Sequence, residues 1–169
     1  ISKYSLIMFI NADIILPENF LSVVELSSNT FKKFLLVGYR WDMNVIDDID
    51  FTNDNERKKF WYRVQRESKK HACTGIDYFA YRKHQWKNIP DFVLGFPGYD
   101  NWMIWNARRK LISVIDASNI VHAIHQNHTM PTYKILDNDD KIFQKIDRNQ
   151  EVNRPFYNNK ALNLLDCTH

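Results

Sequence analysis

Residues 4–16 form the segment that most constrains the fold. They spell YSLIMFINADIIL, a short apolar run that is interrupted at Asn11, Ala12 and Asp13 and followed by Pro17. Such a run, bounded by Asn and Asp, is typical of a strand buried on both faces of an α/β sheet. Open α/β sheets bind ligands at the carboxyl ends of their strands, because the loops there converge on a crevice. A carboxylate in a crevice can hold a divalent cation, so Asp13 is the first candidate metal ligand.

The remaining sequence up to residue 128 alternates between helical and strand patterns. Apolar residues at helical spacing and short apolar runs bounded by Gly, Pro or polar residues distinguish the two. Helices are predicted at 17–27, 56–70 and 98–110, strands at 34–39, 73–82, 111–116 and 120–124, and an acidic loop at 42–55. These elements predict an α/β domain with a mixed, mostly parallel sheet and helices on both faces.

Composition narrows the class of protein. A chain of 169 residues with 44% apolar residues is long enough for one domain with a proper core. Its net charge of +3 comes from scattered Lys and Arg, which favours anionic ligands and not a nucleic-acid surface. Its two cysteines do not indicate a disulfide framework, and no apolar run is long enough to cross a membrane. A soluble, cytoplasmic protein without a transmembrane segment is therefore expected.

Four more polar residues lie within predicted elements or at their ends. Asp77 lies in an aromatic strand, where a buried carboxylate is costly unless it is paired. Asp100 begins a helix, and its side chain can cap that helix as well as serve in a site. His125 and His128 follow a strand, and they can ligate a metal together with Asp13 or act as hydrogen-bonding loop residues. These alternatives remain open on the residues alone.

Four motifs, in this order, resemble the second half of a GT-A type, family-2-like glycosyltransferase. They are NAD at 11–13, GIDYF at 75–79, GYDNW at 98–102 and HQNH at 125–128. The resemblance covers residues 4–128 and implies a partial GT-A fold, that of a nucleotide-diphospho-sugar transferase. It also implies Mn²⁺ or Mg²⁺ on the donor diphosphate, held by Asp13 and His125, with His128 as the competing ligand. Asn11 replaces the first acid of the family's usual Asp-any-Asp motif.

The same resemblance implies roles for the other candidates. Asp100 corresponds to the carboxylate that faces the acceptor and, in inverting members, deprotonates its hydroxyl. Asp77 is expected near the donor sugar, and we assign Asn101, Trp102 and Arg40 to substrate binding. The implied reaction is the transfer of a sugar from a nucleotide-sugar donor to a hydroxyl acceptor such as a glycan.

The domain organisation is also expected to be partial. Residues 1–136 resemble a glycosyltransferase domain without its N-terminal nucleotide-binding half, and residues 137–169 are predicted to form a helical tail packed on that domain. The chain starts at Ile1 and enters a strand almost at once, and it contains no glycine-rich phosphate loop. We therefore expect a nucleotide-binding half upstream in a longer protein.

Two alternatives compete with glycosyl transfer. The first is a non-catalytic module, derived from a glycosyltransferase, that holds a glycan or a protein partner with Trp86, Trp102 and Trp105. The second is metal-dependent hydrolysis at the pair of histidines, His125 and His128. Dependence on a metal and on an acceptor distinguishes the three.

Overall fold

The computed structural model describes residues 3–93, 98–128, 148, 149 and 151. Within these residues the chain forms eight strands and three helices. In chain order they are β1 (Leu6–Ile10), β2 (Ile14–Ile15), α1 (Phe20–Thr30), β3 (Phe34–Val37), β4 (Arg40–Met43), α2 (Asp54–Glu67), β5 (Lys69–Lys70), β6 (Tyr78–Arg82), α3 (Tyr99–Arg109), β7 (Ser113–Asp116) and β8 (Ala123–Gln126).

The strands form two sheets, which we call sheet A and sheet B. Sheet A has the order β1-β6-β3-β7, and sheet B has the order β2-β8-β4-β5. Four of the six strand pairings in the described chain are antiparallel, and only β3 with β7 and β4 with β8 are parallel. The prediction of a single, mostly parallel sheet of the partial GT-A kind is therefore wrong. Apolar runs indicate that strands are buried, but the connections between strands decide their direction.

Strand β3 lies inside sheet A and is covered on both faces. Phe34 and Leu36 pack in the cluster that contains α1 residues, whereas Leu35 and Val37 pack in the cluster that contains α3 residues. All four side chains are fully buried. Because successive strand residues point to opposite faces, a strand covered on both sides needs an uninterrupted apolar run, which FLLV supplies.

Sheet B is apolar on one face and polar on the other. Met43 and Ile124 pack against Phe60 of α2 in a separate hydrophobic cluster. Their chain neighbours Asp42 and His125 point to the opposite face, since strand side chains alternate. Asp42 and His125 are also direct partners in the parallel pairing of β4 with β8. Helix α2 thus packs on the face of sheet B opposite the one that carries these two polar side chains.

The turn after β1 connects sheet A to sheet B. The backbone N–H of Asn11 donates to the carbonyl of Asp77, next to β6, over 3.0 Å. The backbone N–H of Gln126 in β8 donates to the carbonyl of Asp13, also over 3.0 Å. These two bonds fix Asp13 at the junction of the sheets.

The predicted acidic loop at 42–55 is wrong at its beginning. Arg40 and Asp42 alternate with Trp41 and Met43 in strand β4, a polar-apolar alternation that is typical of a half-buried strand. This strand was missed because the apolar run of the preceding strand ends at Gly38, and two of the four residues in β4 are charged.

The predicted helical tail at 137–169 lies outside the described residues except for 148, 149 and 151. Asn149 is buried, and its side-chain amide accepts from the backbone N–H of Val93 and donates to its carbonyl over 2.9 and 3.0 Å. Among the described residues, no helix is both long and apolar enough to span a membrane.

Candidate metal centre

Asp13, His125 and His128 meet where the two sheets join. The Oδ2 atom of Asp13 lies 3.3 Å from Nε2 of His125 and 3.1 Å from Nε2 of His128. One potential ligand atom from each residue lies within 4.8 Å of the other two. Strand pairing explains the contact, because Asp13 directly precedes β2 and His125 is the register partner of Ile14 in that strand. The structure thus brings together all three residues proposed as ligands.

The geometry and chemistry of this cluster suit a divalent transition metal. Two bonds of about 2.1 Å at a right angle place the ligand atoms about 3 Å apart, close to the separations observed here. The Oδ1 atom of Asp13 is buried and has no hydrogen-bond partner in the described structure, which is unusual for a carboxylate oxygen. Two imidazoles with one carboxylate favour a cation such as Mn²⁺ or Zn²⁺ over Mg²⁺, which prefers oxygen ligands.

Asp42 contacts His125 from the side opposite Asp13. Its Oδ1 atom lies 3.0 Å from Nδ1 of His125, and its Oδ2 atom lies 2.6 Å from Nδ1 of His71. Arg40 Nε is 3.0 Å from Oδ1, a separation that makes an ion pair without the angle of a hydrogen bond. Burial raises the pKa of the Asp42 carboxyl. The hydrogen bond from His71 and the charges of Arg40, His71 and His125 lower it by more, so the net pKa lies below its usual value. Asp42 is therefore an ionised acceptor.

Asp77 is a buried carboxylate with two polar partners. Its Oδ2 atom lies 3.1 Å from an Nη atom of Arg40, and its Oδ1 atom accepts from the Asn11 amide over 2.5 Å. The side-chain Oδ1 atom of Asn11 in turn accepts from the Tyr99 hydroxyl over 3.2 Å. A carboxylate at position 11 would face Asp77 with a like charge, so the amide suits this place better than the acid of the family motif.

Asp100 lies in the first turn of α3, beside Tyr99. Its Oδ1 atom accepts from the backbone N–H of Gly98 over 3.2 Å. Burial raises the pKa of the Asp100 carboxyl and the charge of Asp77 adds to this, although backbone N–H groups act in the opposite direction. Burial also raises the pKa of Tyr99, as do the charges of Asp100, Asp77 and Asp13. The Tyr99 hydroxyl thus experiences the negative charges of Asp13, Asp77 and Asp100.

The remaining predicted substrate residues differ in exposure. Trp102 is only 2% exposed and packs against Phe92 with ring centroids 5.6 Å apart. It borders an aromatic cavity of about 340 Å³ that Tyr99 also lines. Asn101 is half-buried, and its backbone N–H bonds the Asp100 carboxylate. Trp102 is therefore a core residue whose side chain is almost fully buried.

Sequence reasoning missed Asp42 and His71. The alternation of Arg40 and Asp42 with apolar residues was a signal for Asp42, since it places both polar side chains on one face of a strand. His71 carried no such signal, because only the pairing of β5 with β4 brings it to Asp42. No protein-family model, no curated protein and no solved structure matches this chain.

Proposed function

We propose that this domain transfers a sugar from a nucleotide-sugar donor to a hydroxyl acceptor with the help of a divalent cation. The observation that carries the proposal is the convergence of Asp13, His125 and His128, with one Asp13 oxygen buried and without a partner in the described structure. The four sequence motifs support the same reaction, because the resemblance maps Asp13 and His125 onto the family's metal ligands, with His128 as the competing ligand.

Two cationic side chains lie near the cluster, Lys69 and Arg40, and Arg40 is paired with Asp42 and Asp77. Arg40 lies on the same face of β4 as Asp42, and Lys69 is the direct partner of Asp42 in the antiparallel pairing of β4 with β5. Direct partners in an antiparallel pair point to the same face of the sheet, so both cations lie on the side of the cluster. A diphosphate leaving group gains negative charge during transfer, and a bound metal would supply Lewis-acid stabilisation of that charge.

Asp77 and Asp100 are suited to different tasks. Asp77 is held by Arg40 and Asn11 and is occupied on both oxygens, so it can position neighbouring groups. Asp100 is half-buried, and its raised pKa makes its carboxylate a stronger base towards an acceptor hydroxyl. We assign Asp100 as the general base.

Thermal unfolding with metal and nucleotide tests the proposal. MnCl₂ together with uridine diphosphate or guanosine diphosphate should raise the Tm, because a ligand that binds only the folded state stabilises it. At a ligand concentration of about 100 Kd the stabilisation is about 2.7 kcal/mol. That corresponds to a rise of roughly 5–10 °C for a domain of this size. Asp13→Ala should abolish the rise, and Glu25→Ala on the exposed face of α1 should retain it.

Three results would contradict glycosyl transfer. The first is an unchanged Tm of the wild-type protein with Mn²⁺ and either nucleotide. The second is release of free sugar from a nucleotide sugar without an acceptor, which would indicate metal-dependent hydrolysis. The third is glycan binding that persists in the presence of a chelator and in Asp100→Ala, which would indicate a binding module.

A further inference from the structure

Asp42 does not belong to the three clustered ligands, yet it contacts one of them. It lies on β4, and its direct partner His125 lies on the parallel strand β8. We propose that Asp42 and His71 are positioning residues that hold the His125 ring with its Nε2 atom towards a bound cation. This inference rests on the proposed metal site and deepens it.

The contacts of His125 assign its two ring nitrogens. A neutral imidazole carries one N–H donor and one acceptor nitrogen. A carboxylate oxygen of Asp42 lies 3.0 Å from Nδ1, and a neutral imidazole that donates to it carries its proton on Nδ1 and its lone pair on Nε2. Nε2 is the nitrogen 3.3 Å from the Asp13 carboxylate. Two acceptors at this distance repel each other, and a cation bound between them would remove this repulsion.

The second oxygen of Asp42 is fixed as well. His71 Nδ1 lies 2.6 Å from Oδ2, and the backbone N–H of His71 donates to the carbonyl of Arg40 over 3.0 Å. Gly75 packs directly against the His71 ring, since a Cβ atom at this glycine would lie 2.4 Å from the ring carbon Cδ2. The carboxylate therefore cannot rotate away from His125 without breaking the contact with His71.

This arrangement matches a general property of metal sites. A metal-ligating histidine donates its other N–H to a carboxylate or carbonyl, which fixes the ring orientation and raises the basicity of the ligand. Loss of such a partner typically costs about 10–100-fold in metal affinity. Asp42 is the carboxylate in this case, and His71 is the residue that holds the carboxylate.

The test is a titration of the metal-free protein with Mn²⁺, in which free Mn²⁺ is measured by electron paramagnetic resonance. Asp42→Asn should weaken binding by about 10–100-fold, and His71→Gln should weaken it by a smaller factor. Asp116→Asn is the matched control, because Asp116 is likewise a carboxylate in a strand but lies in sheet A, where it accepts from the backbone N–H of Ser118. Its Mn²⁺ affinity should stay within twofold of the wild type.

Nitrogen NMR of the Zn²⁺-loaded protein supplies a readout that a merely structural role would not change. His125 should carry its proton on Nδ1 in the wild type, and the resonance of this proton should shift in Asp42→Asn. Wild-type binding of Mn²⁺ combined with an unchanged affinity of Asp42→Asn would overturn the inference and leave the metal site intact. A His125 proton on Nε2 would also overturn it. Absence of metal binding by the wild type would instead overturn the proposed function.

Discussion

Two carboxylates, Asp77 and Asp100, lie in different electrostatic environments. Asp77 is buried and Asp100 is half-buried, and in the described part of the chain only Asp77 has a cationic partner, Arg40. The charge of Asp77 contributes to the raised pKa of Asp100 after the larger effect of burial. Pairs of titratable groups with different environments are typical of acid-base sites. At the residue scale, the expected consequence is a carboxylate at position 100 that costs stability when it is ionised.

Asp100→Asn tests this cost through its dependence on pH. The folded-state pKa of Asp100 lies above the usual value of 3.8, so the folded protein binds this proton more tightly than the unfolded chain. Stability is therefore lost as the pH rises from that value through the folded-state pKa. Asp100→Asn should raise the Tm at pH 7, and the gain should shrink as the pH falls towards 3.8. The same variant should lose transferase activity if Asp100 is the base.

Asp50→Asn is the control of opposite sign. Hydrogen bonds from Thr52 lower the pKa of the exposed Asp50 carboxyl. Its contribution to stability is present above the unfolded pKa and is lost as the pH falls through the folded-state value. Asp50→Asn should therefore not raise the Tm at pH 7. An unchanged or lower Tm of Asp100→Asn at pH 7 would contradict the assigned burial cost.

At the element scale, helix α2 supports the sheet that carries the cluster. Phe60 and Val64 of α2 pack against Met43 and Ile124, the apolar side of sheet B. The helix begins after Asn53, whose side-chain oxygen accepts from the backbone N–H groups of residues 55 and 56 over 2.9 and 3.3 Å. This cap satisfies two N–H groups that otherwise lack a partner within the helix.

Asn53→Ala should lower the free energy of unfolding by about 1 kcal/mol, because it removes the side-chain acceptor at the N-cap. Urea denaturation followed by circular dichroism measures the change. Asn53→Asp is the matched control, since aspartate caps helices as well as asparagine and should keep stability within a few tenths of a kcal/mol. Equal losses in both variants would show that Asn53 contributes through another interaction.

At the scale of the whole molecule, Gly38 lies between β3 of sheet A and β4 of sheet B. A Cβ atom at this position would lie 2.0 Å from the hydroxyl of Tyr78 and 3.1 Å from the backbone nitrogen of Ser118. Tyr78 is fully buried, so its ring has no space in which to move. The passage between the two sheets therefore requires a residue without a side chain.

Gly38→Ala should destabilise the domain by about 1–3 kcal/mol, the usual cost of overpacking a core. Tyr78→Phe in the same chain should recover part of this loss, because it removes the closest atom of the contact. The Tyr78 hydroxyl makes no hydrogen bond in the described structure, so Tyr78→Phe alone should cost little. Chemical denaturation of the four proteins gives the coupling energy. Strict additivity of the two changes would contradict the proposed contact.

Much of the element content was predictable from local patterns. The three helices lie within a few residues of their predicted positions, and Phe34–Val37 is the buried strand that its sequence predicts. The missed strand Arg40–Met43 shows the limit of this approach, because alternation over four residues is a weak signal when half of them are charged. The direction of the strands was also mispredicted. An apolar run indicates a buried strand, but it contains no information on whether that strand pairs in parallel or antiparallel orientation.

The sequence by itself determined the three helices and the buried strand at Phe34–Val37, and it placed Asp13 and the histidines at 125 and 128 next to strands. Only the tertiary structure decided that Asp13 meets a histidine 115 positions away, that Asp42 lies against His125, and that Trp102 belongs to the core. The physical reason is that local periodicity arises from a residue's own backbone and near neighbours, whereas sheet pairing depends on contacts between distant segments. Register and strand direction bring the side chains of the candidate site together, and both are properties of the folded chain as a whole.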